Sequence, residues 1–198
     1  MKILIGTNNE NKLEQFRRIF KNFDSDIELV SLKEAGIIDD VEEDEDNLLA
    51  NARNKACFYG EKSELLTLAD DTGLFVDILG GEPGVHAKRW HGGTELDRNN
   101  KLLERLKGIP EEKRTCRYTG FLVLYDPRTK EFWEYKNDIE GLISDEFRGE
   151  LGFGYDPIFK LKDGRRYGEL IDEERDTISH RGLGVKELLK FLGRKKDK

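Results

Sequence analysis

The sequence predicts an α/β protein with an elongated mixed β-sheet, flanking helices and two lobes around a central cleft. Three observations lead to this class. Apolar runs of strand length alternate with segments of helical periodicity in the first half, two long strand-like segments form a meander after the middle, and no linker interrupts the chain. Because 198 residues can bury a substantial core, we expect a single domain over residues 1–198.

The first half is expected to alternate between strands and helices. Apolar residues recur at intervals of three and four in two segments, which is the spacing of a helix face, and the shorter runs between them resemble strands. The predicted elements are a strand at 2–7, a helix at 10–22, a strand at 27–32, an acidic stretch at 39–46, a helix that begins at Leu48, and a strand at 65–69 that ends at two aspartates.

The second half is expected to contain a hairpin of two long strands. The segment Asp126-Pro127-Arg128-Thr129 is typical of a turn, and it separates two stretches that are rich in β-branched and aromatic residues. The predicted elements are a turn at 80–84, a helix at 94–106, strands at 117–126 and 131–143, a glycine-rich loop at 149–157, a strand at 158–161, and a helix after Ser179 with a frayed tail at 193–198.

Composition excludes several classes of function. The net charge of −7, from 34 basic and 41 acidic side chains, argues against general nucleic-acid binding. No apolar run approaches the roughly 20 residues that cross a bilayer. The apolar start at residues 1–6 is too short, and too quickly followed by polar residues, for a secretory signal. We therefore expect no membrane association and a cytoplasmic location. Cys57 and Cys116 have no partner motif and are expected to be reduced, packed thiols.

The segment Thr7-Asn8-Asn9-Glu10-Asn11-Lys12 leads from a predicted strand into a helix. The start of a helix presents free backbone N–H groups and the positive end of its dipole, which favours phosphate, and Lys12 can add an ammonium group. A capped surface helix is the alternative interpretation. The chain contains neither a P-loop nor a Gly-x-Gly-x-x-Gly motif, so those two modes of phosphate binding are not supported.

Asp70 and Asp71 follow an apolar strand. Like charges held together favour a bound Mg²⁺, which prefers oxygen ligands, although Asp-Asp-Thr-Gly is also a common turn sequence. The acidic stretch at 39–46 is typical of a solvated surface, yet one of its members could join the site. Lys55, on the predicted second helix, could reach phosphate.

The loop Gly152-Phe153-Gly154-Tyr155-Asp156-Pro157 alternates glycine with aromatic residues. Its rings could stack on a nucleobase, or they could pack into the core below the loop. His180 and Arg181 could form the other half of a base pocket. A zinc site is not expected, because His86 and His91 lack nearby cysteines. Cations for phosphate, carboxylates for a metal and fixed groups for a base together indicate a nucleoside triphosphate as the substrate.

In this order, the motifs resemble the inosine/xanthosine triphosphate pyrophosphatase family, also called Ham1-like or dITP/XTP pyrophosphatases. The resemblance covers nearly the whole chain. It is carried by the segments Thr7–Lys12, Glu43, Asn51–Lys55, Ala69–Leu74, Gly80–Val85, Arg89, Gly152–Pro157 and Ser179–Gly182.

The resemblance implies a Mg²⁺-dependent enzyme that cleaves ITP, dITP or XTP to the monophosphate and pyrophosphate, cleanses the nucleotide pool and forms homodimers. It implies that Asp71 is the general base and that Glu43, Asp70 and Asp71 hold the metal. The implied phosphate-binding residues are Thr7, Asn8, Asn9, Glu10, Asn11, Lys12, Lys55 and Thr72. The implied base-binding residues are Phe153, Gly154, Tyr155, Asp156, Arg175, His180 and Arg181.

Arg181 can only donate hydrogen bonds, so it suits the 6-oxo group of hypoxanthine or xanthine and disfavours adenine, by about 10⁴-fold in favourable cases.

Four positions depart from the family pattern: Arg175 replaces a lysine, Ala50 a glutamate, Leu48 a phenylalanine and His86 a tyrosine. Since none of these departures affects the aspartate pair, we expect activity to survive, with substrate preference the most exposed property. Preference for pyrimidine or other modified triphosphates stays open. A nucleotide-binding module without turnover is a third alternative, against which the intact Asp70, Asp71, Lys12 and Lys55 argue.

Overall fold

The computed structural model of the protein describes residues 1–23, 25–41 and 46–196. The strands within these ranges are β1 (Lys2–Ile5), β2 (Glu28–Ser31), β3 (Leu66–Val76), β4 (Pro83–Gly84), β5 (Thr115–Asp126), β6 (Glu131–Ile143) and β7 (Phe159–Lys160). The helices are α1 (Glu10–Asn22), α2 (Leu48–Ser63), α3 (Glu95–Arg105), α4 (Asp172–Ile178) and α5 (His180–Lys196).

The strands form one mixed sheet, in the order β2-β1-β3-β5-β6-β7, with β4 paired to β3. β1 runs parallel to both β2 and β3, with Ile3 opposite Leu29 and Leu66, whereas β4 is antiparallel to β3 and β7 is antiparallel to β6. The predicted α/β class with a mixed sheet and flanking helices is therefore confirmed. The predicted cleft stays a prediction.

The prediction for β3 was wrong in one important respect. The strand does not end at Ala69 but continues to Val76, so Asp70 and Asp71 lie in its interior. Aspartate has a low intrinsic preference for strands, but burial and cross-strand neighbours override that preference in a central strand. Since alternate residues of a strand point to opposite faces of the sheet, the two carboxylates are directed to different sides.

Three further differences concern the C-terminal half. The helix α4 (Asp172–Ile178) was not predicted, because its seven residues are mostly polar and lack an apolar stripe. The tail was expected to fray from Gly193, but α5 continues to Lys196. The final strand is shorter than predicted, since β7 contains only Phe159 and Lys160. The hairpin β5–β6 and helices α1 and α3 lie within two residues of their predicted bounds.

The chain divides into two compact units. The first contains Met1–Thr72, Gly120–Asn137 and Asp176–Lys198, and the second contains Gly73–Thr119 and Asp138–Arg175. Both cysteines are free, as predicted: Cys116 is buried and Cys57 is partly buried. No helix of the described residues combines the length and the apolar character that crossing a membrane requires.

The core of the first unit explains where the two aspartates point. Leu68 belongs to an apolar cluster on the face of the sheet that carries α1 and α5, with Phe16 and Val185. Ala69 belongs to a second cluster on the opposite face, against Ala52 and Ala56 of α2. By alternation, Asp70 faces α1 and α5, and Asp71 faces α2.

The second unit has a core in which aromatic rings stack. The rings of Tyr118 and Phe159 have centroids 4.6 Å apart, and Tyr167 stacks on Phe159 at 5.2 Å. Phe159 and Tyr167 are buried, and Tyr118 is partly buried. Such stacked pairs contribute more free energy to the stability of a core than their buried area alone would give. The stack lies beneath the glycine-rich loop at 149–157, because the Tyr118 hydroxyl donates to Asp156 Oδ1 at 3.3 Å.

Candidate active site

Asp70 lies at the centre of a charged cluster in the first unit. Its Oδ2 atom accepts hydrogen bonds from Lys12 Nζ at 3.1 Å and from Arg181 Nε and Nη2 at 3.1 and 2.8 Å. Lys12 belongs to the first turn of α1 and Arg181 to the first turn of α5, and both helices pack on the face of the sheet to which Asp70 points. The fold therefore brings together three residues that are far apart in the sequence.

Asp71 forms a separate set of bonds with α2. Lys55 Nζ donates to its Oδ1 at 3.0 Å, and Asn51 Nδ2 donates to its Oδ2 at 3.2 Å. Asn51 and Lys55 are four residues apart, so they occupy neighbouring positions on one face of the helix. All three side chains are buried. The two adjacent aspartates are thus each neutralised by cations from different helices, which removes much of the repulsion between them.

The ionisation of Asp70 follows from its neighbours. Burial by itself favours the neutral acid, but the charges of Arg181 and Lys12 outweigh it and hold the pKa of the Asp70 carboxyl well below its usual range. Burial is also the main reason why the pKa of the Lys12 ammonium is lowered, with the charge of Asp70 opposing the change. Asp70 is consequently ionised throughout the physiological range and is a poor proton acceptor.

Thr72 links the cluster to His180. Its hydroxyl donates to Asp70 Oδ2 at 3.1 Å and lies 2.9 Å from His180 Nε2. Since that hydroxyl has one proton, the geometry indicates that Nε2 carries the proton of the ring and donates to Thr72. Burial, followed by the charge of Arg181, lowers the pKa of His180 well below its usual value, so the ring is neutral at pH 7.

Gly120 of β5 makes room for this imidazole. A Cβ atom at Gly120 would lie 2.5 Å from His180 Cδ2 and 2.9 Å from Cγ, much closer than van der Waals contact permits. The sequence motif Ser179-His180-Arg181 indicated the importance of His180, but the requirement for a small residue on the facing strand appears only in the tertiary structure.

The segment Thr7–Lys12 has the geometry of a capped helix start. Asn9 is the N-cap of α1, and its side chain accepts a hydrogen bond from the Lys12 amide at 3.3 Å. Thr7 Oγ1 accepts from the Asn9 amide at 3.2 Å. The Asn8 side-chain amide donates to Asp40 Oδ1 at 3.0 Å, which ties the start of the acidic stretch to this turn. Glu10 and Asn11 are exposed on the first turn.

A polar layer behind Arg181 was not predicted. Gln15 Oε1 accepts from Arg181 Nη1 at 2.9 Å, and Gln15 Nε2 donates to Asp176 Oδ1 at 3.0 Å. Asp176 is also paired with Arg18, through Nε at 3.0 Å. Gln15 is buried beside Phe16 on the packed face of α1. A polar residue beside the apolar stripe of a helix is the sequence signal that could have drawn attention to it.

The glycine-rich loop belongs to the second unit, where its side chains are anchored. Tyr155 is buried, and its hydroxyl donates to the carbonyl oxygen of Ala87 at 2.9 Å. Burial raises the pKa of Tyr155 to about 12. Asp156 Oδ2 accepts from the Phe153 amide at 3.0 Å, while the Phe153 side chain is only partly buried. Phe153 is the ring of this loop that keeps the more accessible face.

Arg175 also lies in the second unit and is buried. Its Nη1 donates to the carbonyl oxygen of Leu170 at 3.3 Å, its Nη2 pairs with Asp172, and its Nε has no hydrogen-bond partner among the described residues. Glu43, the third predicted metal ligand, lies outside the described residues. His86 and His91 are not part of any cluster of metal-ligating residues in the described parts of the chain.

Comparison with known proteins identifies the family of this chain. Residues 3–191 match the family model of the Ham1 family. The chain belongs to the Ham1 family. A member from Thermoanaerobacter sp. (strain X514), named dITP/XTP pyrophosphatase, is 40% identical over 195 residues, which cover 97% of this chain and 96% of that protein. The Bacillus subtilis (strain 168) protein of the same name is 38% identical over 192 residues, 96% of each chain.

Solved structures of Ham1 proteins have the same fold. The HAM1 protein from Coxiella burnetii superposes with a TM-score of 0.86 at 30% identity, covering 98% of this chain and 99% of that one. The Staphylococcus aureus Ham1 protein gives a TM-score of 0.84 at 30% identity and covers 98% of this chain and all of its own. The predicted family is therefore confirmed. The relatives described above carry the name of an enzyme, dITP/XTP pyrophosphatase, which confirms the prediction that this chain is an enzyme of that class.

Proposed function

We propose that this protein hydrolyses the triphosphates of deaminated purine nucleosides (dITP, XTP and ITP) to the nucleoside monophosphate and pyrophosphate, and so cleanses the nucleotide pool. The observation that carries the proposal is the cluster in the first unit, where Lys12, Lys55 and Arg181 surround Asp70 and Asp71. These residues bring three positive charges against two negative ones. The excess favours a polyanion such as a triphosphate.

The cations differ in their freedom to bind phosphate. The Lys12 side chain keeps 16% of its surface exposed, against 4% for Arg181. A triphosphate would therefore compete with Asp70 for Lys12 first, at the helix start where backbone N–H groups also favour phosphate. Thr7, Asn8, Asn9, Glu10 and Asn11 are proposed to contact the phosphates from the same turn, together with Lys55 and Thr72.

Asp71 is the better candidate for activating water. The Asp70 side chain is fully buried, and its Oδ2 receives donors from Lys12, Thr72 and Arg181. The Asp71 side chain keeps 12% of its surface exposed and uses one oxygen for Lys55 and the other for Asn51. A carboxylate oxygen has two lone pairs, so each oxygen of Asp71 can accept one more hydrogen bond. Phosphoryl transfer depends mostly on positioning, and a carboxylate held in place by two donors can orient the attacking water.

The residues present fit the proposed Mg²⁺. Asp70 Oδ1 is buried and has no hydrogen-bond partner among the described residues. A buried carboxylate oxygen without a partner costs free energy, so a bound cation at this atom would be favourable. No group of three or more His, Cys, Asp or Glu in the described residues could hold a metal. Mg²⁺ commonly uses one or two carboxylates and substrate phosphates, so we propose Asp70 as a ligand on its face of β3. Asp71 points to the opposite face, so its role as a ligand, like that of Glu43, is proposed from the family alone. The ion would neutralise charge on the phosphates.

The base-binding roles of seven residues stay proposals that rest on the family. They are Phe153, Gly154, Tyr155, Asp156, Arg175, His180 and Arg181. In this structure Arg181 already donates to Asp70 and Gln15, so a contact with the base would come in addition to those bonds or in exchange for one of them. A cytoplasmic location and a homodimer are likewise proposed; the location rests on the sequence, and the homodimer rests on the family.

The test is an assay of the purified protein with dITP, XTP, ITP, GTP, ATP and dTTP, with Mg²⁺ or with EDTA. Reaction in H₂¹⁸O distinguishes the site of attack, because attack at the α-phosphorus labels the monophosphate and attack at the β-phosphorus labels the pyrophosphate. Pyrophosphate from dITP and XTP, little from ATP and label in the monophosphate would support the proposal. Orthophosphate as the product, or a preference for dTTP, would contradict it.

Replacement of Asp71 by Asn tests the role of its charge. We expect Asp71→Asn to lower kcat for dITP at least about 100-fold, a typical contribution of a positioned general base, while the circular dichroism spectrum stays unchanged. Asp39→Asn is the matched control, because Asp39 is an exposed carboxylate that pairs with Lys62. A near-normal kcat for Asp71→Asn would remove Asp71 from this role.

A further inference from the structure

Helix α3 holds the glycine-rich loop through the backbone N–H and C=O groups of one residue, Gly154. Glu95 Oε2 accepts a hydrogen bond from the Gly154 amide at 2.8 Å, and Asn99 Nδ2 donates to the Gly154 carbonyl oxygen at 2.8 Å. Both contacts lie inside the second unit. The N–H and C=O groups of Gly154 are therefore fixed by two side chains one helical turn apart.

The backbone conformation of Gly154 depends on these two hydrogen bonds. Its φ of +68° lies in the left-handed region, and nothing lies within 4 Å of the position where a Cβ atom would be. Space alone would allow a larger residue, so it is the backbone conformation that favours glycine here. A glycine has wide conformational freedom, and the hydrogen bonds from α3 select one state from it.

The two α3 residues are themselves firmly placed. Thr94 and Asp97 form a capping box at the start of α3, so Glu95, the first residue of the helix, has a defined direction. Asn99 is buried, and its Nδ2 also donates to the Glu95 carbonyl oxygen at 3.0 Å. Two carbonyl oxygens face the same atom, which establishes it as the NH₂ end of the amide.

Burying the Asn99 amide costs free energy, and its hydrogen bond to the loop explains why an amide is found there. Its Oδ1 is buried and has no hydrogen-bond partner in the described residues. An apolar side chain would leave no such atom unsatisfied, but it could not donate to Gly154. The donor function of Asn99 is therefore the chemical reason for an amide at this buried position.

We infer that Glu95 and Asn99 of α3 are positioning residues for nucleobase discrimination, since they fix the loop that carries Phe153 and Asp156. The inference rests on the proposed function, in which this loop contacts the base. Without the two hydrogen bonds Gly154 can leave its left-handed conformation, and the partly exposed ring of Phe153 beside it loses its fixed position. Stacking itself accepts any base, but a base held in a fixed orientation is distinguished by the polar groups at its edge. A loosely held base is distinguished less well, so the advantage of the correct base over other bases shrinks.

The test begins with Glu95→Ala, because Glu95 is exposed and its removal leaves the core intact. We expect kcat/KM for dITP to fall about tenfold, a moderate loss for a displaced stacking contact, mostly through KM. The preference for dITP over dGTP and dATP should narrow by a similar factor. Glu95→Gln should restore both values, because its side-chain oxygen can still accept from the Gly154 amide.

Two controls separate this effect from general loss of stability. Glu104→Ala removes another exposed carboxylate of α3 that pairs with Lys101 at 2.9 Å, and it should leave the kinetics unchanged. Hydrogen exchange of the peptide that contains Gly154, measured on the free protein, should quicken in Glu95→Ala and in Asn99→Ala but not in Glu104→Ala. This readout does not depend on catalysis.

The outcomes distinguish the inference from the proposed function. If the wild type discriminates in favour of dITP and Glu95→Ala discriminates equally well, the inference is wrong and the function stands. Faster exchange without any kinetic change would also overturn it, since the loop would then be held without affecting the base. If the wild type hydrolyses neither dITP nor XTP, the proposed function fails, and the role in base discrimination fails with it.

Discussion

Replacement of Asp70 by Asn should destabilise the protein strongly. The Asp70 side chain is fully buried, and its Oδ2 is the shared partner of Lys12 at 3.1 Å and Arg181 at 2.8 Å. The Arg181 side chain is only 4% exposed, so water cannot replace the carboxylate. An amide of the same shape keeps one acceptor oxygen but removes the negative charge, which leaves two cations close together in a poorly solvated site.

The expected magnitude follows from that geometry. Removing one partner of a buried ion pair costs about 3–5 kcal/mol, out of a total free energy of unfolding of about 5–15 kcal/mol. For a domain of about this length, each kcal/mol lowers the melting temperature by about 2–4 °C. We therefore expect Asp70→Asn to lower it by about 6–20 °C at pH 7.

Thermal unfolding followed by circular dichroism, in buffer with EDTA, measures this effect. Asp39→Asn is the control, because both Asp39 and Lys62 are more than a third exposed, and such surface pairs contribute little. The Asp70 carboxyl has a folded-state pKa below its unfolded value. Its contribution is therefore complete above about pH 4, near the unfolded pKa, and is lost as the pH falls through the folded-state pKa.

The difference between wild type and Asp70→Asn should consequently stay constant from pH 7 to about pH 5 and shrink below about pH 4. A melting temperature for Asp70→Asn within about 2 °C of the wild type at pH 7 would refute the reasoning. It would show that solvent or a rearrangement of Lys12, rather than Asp70, neutralises the buried guanidinium of Arg181.

Two further predictions concern His180. Gly120→Ala should lower the free energy of unfolding by about 1–3 kcal/mol, measured by urea titration, because its methyl group would overlap the imidazole; an unchanged midpoint would contradict the packing described for Gly120. Since burial keeps the folded-state pKa of His180 below its usual value, the unfolded state binds the proton first on acidification. Stability should fall as the pH drops from about 6.5 to 5, by up to about 1.4 kcal/mol per pH unit. His180→Gln should flatten that part of the curve, and equal curves for the wild type and His180→Gln would contradict a neutral, buried His180.

Local sequence patterns predicted the helices with apolar stripes and the hairpin. The helix α1 has the predicted bounds, 10–22, because its stripe and its Asn9 cap both act within a few residues. The seven-residue helix α4 has no such stripe and was missed. The predicted end of β3 at Ala69 was too early, because aspartates normally indicate a turn. Inside the sheet, the neighbouring strands and the nearby cations stabilise the two aspartates, and neither is visible in the local sequence.

The sequence by itself determined the α/β class, the family and the residue types that make up the proposed triphosphate site. These follow from local periodicity and from short motifs whose chemistry is visible in the letters. Only the tertiary structure decided that Asp70 faces Lys12 and Arg181 while Asp71 faces Asn51 and Lys55. It also revealed Gln15, Gly120, Glu95 and Asn99 as supporting residues. Their roles depend on contacts between segments far apart in the chain, and such contacts arise only when the helices pack on the sheet.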